Sequence, residues 1–153
     1  MPDQTRIAPA QIRAPWFVAM VLMMLFIWGN SLVPGSESGS LSLSVVQAVR
    51  HALEMLGMPN AWVTNFLVRK AAHFTEYAVL GVLATNAFSL CRRVQPWQVL
   101  AVCLVLVLTP SIDETIQLFV SGRSGQLSDV LLDCCGGVTG AVVAALIRTR
   151  RAL

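Results

Sequence analysis

The sequence predicts an all-α integral membrane four-helix bundle with a short amphipathic extracytoplasmic helix, and three observations carry that prediction. Hydrophobic residues make up 56% of the 153-residue chain and charged residues only 12%, whereas soluble domains carry about a quarter charged residues. Apolar runs recur at a length that suits a bilayer, where a helix needs about 20 residues to cross about 30 Å of hydrocarbon. One polar stretch, RKAAHFTE at Arg69–Glu76, opens an otherwise apolar segment, where its charges must be paired, hydrated or functional because hydrocarbon offers them no partner. The net charge of +3 includes no basic run long enough to trace a nucleic-acid backbone, so no nucleic-acid partner is expected.

The elements follow in order. Residues 1–13 form a short polar segment with Arg6 and Arg13, and the first span is expected at about 14–33. Basic residues ahead of an apolar stretch also suit a signal peptide, but about 20 apolar residues exceed the usual 7–15 of such a core, so the segment is read as an anchor. Pro34–Ser44, rich in Ser and Gly, is expected to be a loop. Ser42 or Ser44 would then cap an amphipathic helix whose apolar residues, Val45 to Leu56, recur mostly at spacings of three and four. Gly57 and Pro59 close it, and Arg50, His51 and Glu54 on its other side suit a helix lying on the membrane.

Asn60 is the expected N-cap of a long helix from Ala61 to about Leu90, with the second span at about 71–90. Trp62, Phe66, Arg69, His73, Glu76 and Leu80 fall at steps of three and four, which puts Arg69, His73 and Glu76 on one face. A third span at about 97–119 must continue through Pro110 with a kink, which spans tolerate when neighbours satisfy the freed carbonyl. Asp113 then lies about 24 Å along the axis from Trp97. The fourth span, about 129–147, carries Asp129, Asp133, Gly136 and Gly140 on one face, the two glycines at a spacing that permits close helix approach. Residues 148–153 are a basic tail. Cys91, Cys103, Cys134 and Cys135 lack metal-ligand or disulfide spacing and are expected as small apolar core residues.

Orientation comes from Lys and Arg. Arg6, Arg13, Arg92, Arg93, Arg148, Arg150 and Arg151 fall on one side, and Arg50, Arg69, Lys70 and Arg123 on the other. The excess marks the cytoplasm, so both termini are expected inside. Arg69–Glu76, the SIDETIQ stretch, Arg123 and Asp129 then converge at the outer face.

That cluster holds Arg69, Lys70, His73, Glu76 and Tyr77 from one helix, Asp113, Glu114 and Gln117 from a second, and Arg123, Asp129 and Asp133 from the last loop and helix. The same residues resemble the VanZ-like membrane protein family. Its pattern of Lys, His three on and Tyr four further is matched by Lys70, His73 and Tyr77. Its Asp-Glu pair with a Gln three beyond is matched by Asp113, Glu114 and Gln117, and its Arg, Asp and two spaced Gly by Arg123, Asp129, Gly136 and Gly140. The SLVPGSESGSLS stretch also fits, while Asp133 stands where the family more often has Asn. The resemblance covers roughly residues 25–145. It implies a bacterial inner-membrane protein of the cell envelope, and the founding member's association with resistance to the glycopeptide teicoplanin suggests a role in antibiotic resistance.

Three functional readings stay open. The cluster could bind membrane lipids, or an anionic or lipid-linked envelope precursor, in a binding or transport protein. Alternating access by four spans would need a homo-oligomer. It could be the site of an enzyme acting on a lipid-linked phosphate or glycan, with Arg69, Lys70 and Arg123 on phosphate and His73, Glu76, Asp113 and Glu114 as acid and base. It could equally be an ion-pair network fastening helix ends, Glu76 with Arg69 or Lys70 and Asp113 or Glu114 with Arg123. No metal signature, phosphate loop or nucleophile elbow is present and no cofactor is expected. A divalent cation on Asp113, Glu114, Asp129 and His73 is the weaker alternative.

Overall fold

The computed structural model describes residues 12–89 and 94–151. Arg6, Cys91, Arg92, Arg93 and the last two residues of the tail lie outside them. The described residues form five helices and no strand: α1 (Ala14–Ser31), α2 (Gly35–Met55), α3 (Asn65–Ala87), α4 (Pro96–Leu118) and α5 (Leu127–Arg151). Helices α1, α4 and α5 are long and apolar enough to cross a membrane. Helix α3 has the length but carries Arg69, Lys70, His73 and Glu76 in its first half.

Helix α1 opens with a proline in its first turn, where the missing N–H is one the helix leaves unpaired anyway. Helix α2 begins at Gly35, earlier than its Ser/Gly composition suggests. The hydroxyls of Ser40, Ser42 and Ser44 do not cap it. They donate back to the carbonyls of Glu37, Ser38 and Ser40, so a stretch expected as loop is the helix's first turns. It stops where Gly57 adopts φ +67°. There the N–H of Gly57 donates to Glu54 and that of Met58 to Leu53, both at 2.9 Å, the double closure that a left-handed glycine permits.

Helix α3 starts four residues later than expected. Its N-cap is Thr64, whose hydroxyl accepts the N–H of Leu67 at 3.2 Å, while Asn60 turns back to donate to the Arg50 carbonyl. Trp62 therefore lies off the helix, and α3 ends at Ala87. Helix α4 opens on reciprocal bonds between Gln95 and Gln98 and runs through Pro110. Proline has no N–H for the carbonyl four residues back, here Leu106, and the Cys134 thiol of α5 donates to that oxygen at 3.3 Å. Cys103 and Cys135, expected in the core, are exposed instead, because they face outward from apolar helices. Helix α5 continues through Arg148, read from sequence as tail, and Arg148 Nη1 donates to the Thr85 carbonyl at 3.2 Å.

The core gathers around α3: Tyr77, Leu80, Ala84 and Ala87 pack with Met20 and Ile27 of α1 and Val102 and Leu106 of α4. Large apolar side chains such as Leu22, Phe26, Leu100, Leu104, Leu131 and Leu146 point outward, the inverse of a soluble surface. Helix α3 touches all four other helices, most extensively α5. The two meet backbone to backbone. A Cβ on Gly136 would stand 2.5 Å from the Phe74 carbonyl oxygen, one on Gly140 would overlap the carbonyl oxygen of Ala78, and one on Gly81 that of Gly137.

Hydrogen bonds to backbone carbonyls fix the order of the ends. Arg13 at the start of α1 donates to the Ala87 carbonyl at the end of α3 at 2.9 Å, and Gln98 near the start of α4 donates to Phe88 at 2.7 Å. The end of α1, the start of α3, the end of α4 and the start of α5 consequently meet at the opposite end.

Gly140→Ala should therefore cost at least about 3 kcal/mol, the upper range for overpacking, whereas Gly29→Ala, with nothing within 4 Å of the new Cβ, should be neutral or slightly stabilising. Thermal unfolding of the purified detergent-solubilised variants checks the contrast.

Candidate functional site

The site is built at the end where these four helix termini converge. Facing turns of α3 supply Arg69, Lys70, His73, Glu76 and Tyr77; one turn of α4 supplies Asp113, Glu114 and Gln117; and α5 with its preceding loop supplies Arg123, Asp129 and Asp133. All the residues expected from sequence are brought to this end, but their pairing differs from what charge alone suggests.

Lys70 pairs with Asp129 on α5 and sits 5.3 Å over the Phe66 ring, a favourable place for a cation. Among the described residues, Glu76 receives only the Asn30 amide, at 3.5 Å, and Arg123 takes no carboxylate. Its Nε donates to the Val33 carbonyl and its Nη2 to that of Asn30, both at 2.8 Å, so the guanidinium is tied to backbone carbonyls at and just past the end of α1. Burial and repulsion from Arg69 lower its pKa from the ordinary arginine value, yet a guanidinium stays charged. The expected pairs of Glu76 with Arg69 or Lys70, and of Asp113 or Glu114 with Arg123, do not form. The backbone carbonyls of α1 compete successfully for Arg123, and Asp129 lies nearer to Lys70.

On α4, Gln117 Nε2 lies 3.2 Å from Asp113 Oδ2, 3.4 Å from Glu114 Oε1 and 3.3 Å from Ser31 Oγ. The other Glu114 oxygen accepts the Gln126 N–H at 2.8 Å, at the start of α5, where a negative charge is favoured by the helix dipole. Asp113, Asp133 and Tyr77 are fully buried. His73 Nδ1 is 3.7 Å from Asp133 Oδ2, too far for a hydrogen bond. Both oxygens of Asp133, Oδ1 of Asp113 and the Tyr77 hydroxyl have no hydrogen-bond partner among the described residues. Donor atoms of His73, Asp113 and Asp133 all lie within 4.8 Å of one another. Of the cation ligands that the sequence suggests, Glu114 and Asp129 are thus taken by Gln126 and Lys70.

Two cavities flank this cluster. The larger, about 280 Å³, is lined by residues that include Phe66, Arg69, Lys70, His73, Asp129 and Asp133. The smaller, about 190 Å³, is lined by Asn30, Ser31, Ser38, Ser42 and Arg123 among others. Arg69 and His73 belong to both walls. Arg69 is half-buried and makes no hydrogen bond or ion pair among the described residues. Sequence reasoning missed Asn30, Ser31 and Gln126. The first two were signalled by polar side chains ending an apolar run; Gln126 contributes its backbone, which carries no residue-type signal.

These features define a helical membrane protein with a buried polar site at one end. The chain belongs to the VanZ/LLP1 family, whose profile matches residues 16–148. No curated protein and no solved structure matches the chain.

Arg123→Ala should lower stability by roughly 1–3 kcal/mol, the range for bonds to a charged donor, while Arg69→Gln should leave it within about 0.5 kcal/mol. Melting curves of the two purified variants test the division between a structural and an unpartnered arginine.

Proposed function

We propose that this VanZ/LLP1 protein crosses a bacterial inner membrane with four helices, both termini cytoplasmic, and holds the anionic head group of an envelope lipid at its outer face. The observation that carries the reading is Arg69. It is a half-buried guanidinium with no partner among the described residues, set in a wall common to two cavities. A half-buried arginine without a carboxylate is a ready receptor for phosphate, which it can bind through two parallel bonds.

The larger cavity, at about 280 Å³, takes a phosphate with a small polar substituent and leaves acyl chains on the apolar outer surface. Phe66, 67% exposed, stands at its wall. Helix α2 supports the same placement: Leu41, Leu43, Val45 and Val49 are exposed and only Val46 is buried, the pattern of a helix resting on a bilayer. The span assignment of α3 rests on its 23-residue length and central position, since a helix enclosed by others meets protein, not lipid, with its polar residues. Family membership supports an envelope role, with glycopeptide resistance as the phenotype to examine.

A second reading, catalysis on a lipid-linked phosphate or glycan, draws on His73 standing beside the buried Asp133, an arrangement able to move protons. Turnover of labelled lipid-linked precursors by purified protein would favour it over binding alone.

In nanodiscs, the wild-type protein should retain phosphatidylglycerol over phosphatidylcholine in native mass spectra. Arg69→Gln should reduce that preference about tenfold, as expected for loss of one charge-assisted contact, and an unchanged preference refutes the head-group reading. For topology, a reporter fused after Leu90 should be cytoplasmic and one fused at Gly125 external. The reverse pattern would place the site on the inner face.

A further inference from the structure

The head-group reading uses Arg69 and leaves the centre of the cluster unexplained. There, two fully buried carboxylates from different helices, Asp113 of α4 and Asp133 of α5, face the imidazole of His73 on α3. Buried carboxylate oxygens are ordinarily hydrogen-bonded, yet three of these four have no partner. The nearby cations do not serve them: Lys70 is held by Asp129 and Arg123 by the carbonyls of α1.

We propose that His73, Asp113 and Asp133 form a binding site for one divalent transition-metal ion of the manganese or zinc type. An imidazole with two carboxylates is a mixed nitrogen and oxygen donor set that suits such ions. Their donor atoms lie within 4.8 Å of one another, and His73 Nδ1 is 3.7 Å from Asp133 Oδ2. Donors on opposite sides of an ion bound at about 2.1 Å are about 4.2 Å apart, so small side-chain rotations close the shell. The ligands come from three helices that the bundle already fixes. Gln117 holds Asp113 Oδ2 at 3.2 Å, the supporting bond that orients a ligating carboxylate. His73 and Asp133 also line the larger cavity, which gives an ion a way in and leaves positions for water or for an anionic ligand. The site does not depend on what occupies the cavity.

The test uses the full-length protein purified in detergent, stripped with chelator and dialysed against Mn²⁺ or Zn²⁺ alone. The expected result is one ion per chain for at least one metal, with a rise in melting temperature, because an ion that binds only the folded state stabilises it. Bound Mn²⁺ should show pulsed-EPR coupling to an imidazole nitrogen. Asp113→Asn and Asp133→Asn should weaken binding about 100-fold or more, and His73→Gln should abolish the nitrogen coupling. His51→Ala, which changes the only other histidine, should alter none of these. The proposal is overturned if the wild-type protein takes up neither metal. It is also overturned if the folded Asn variants bind as the wild type does, or if the nitrogen coupling survives in His73→Gln. The wild-type measurement decides the matter even if a variant fails to fold.

Discussion

The close approach of α3 and α5 is the constraint on which the rest of the molecule depends. In lipid there is little hydrophobic gain from bringing two apolar helices together, so packing of backbones across small residues carries the association. Gly81, Gly136 and Gly140 remove the side chains that would stand between the two backbones. Contact at Phe74 and Gly136 places the preceding residue His73 opposite Asp133, three residues before Gly136. Helix association and site assembly are thus one event, and the polar cluster cannot form unless these glycines meet carbonyl oxygens.

A second device keeps α4 in place. Pro110 frees the Leu106 carbonyl at the level where α4 passes α5, and Cys134 supplies a hydrogen. The irregularity is satisfied by a neighbour rather than by water. One turn further along α4, Asp113, Glu114 and Gln117 face inward and are buried, so the helix that carries the proline also carries two of the cluster's five carboxylates.

Much of this was legible in the sequence. Length and apolarity gave α1, α4 and α5, the steps of three and four gave the shared face of α3, and the spacing of Gly136 and Gly140 gave the contact face of α5. What failed was local competition for hydrogen bonds. Ser42 and Ser44 look like caps, but inside a helix their hydroxyls return to the preceding turn; Asn60 looks like a cap, but Arg50 offers it a carbonyl. Charge counting also misled, because it pairs Arg123 with carboxylates and overlooks the backbone carbonyls at the end of α1, which no residue type announces. Cys103 and Cys135 face outward because the surface of these helices is itself apolar.

The wall between the two cavities has a thermodynamic consequence. Arg69 and His73 face both spaces, so a charge admitted to one side acts on the same two groups that meet whatever enters the other. If charged ligands enter both chambers, their occupancies are energetically linked. Whatever factor the first occupant applies to the affinity of the second, the second must return to the first, and a partition of two side chains becomes a means of reciprocal sensing.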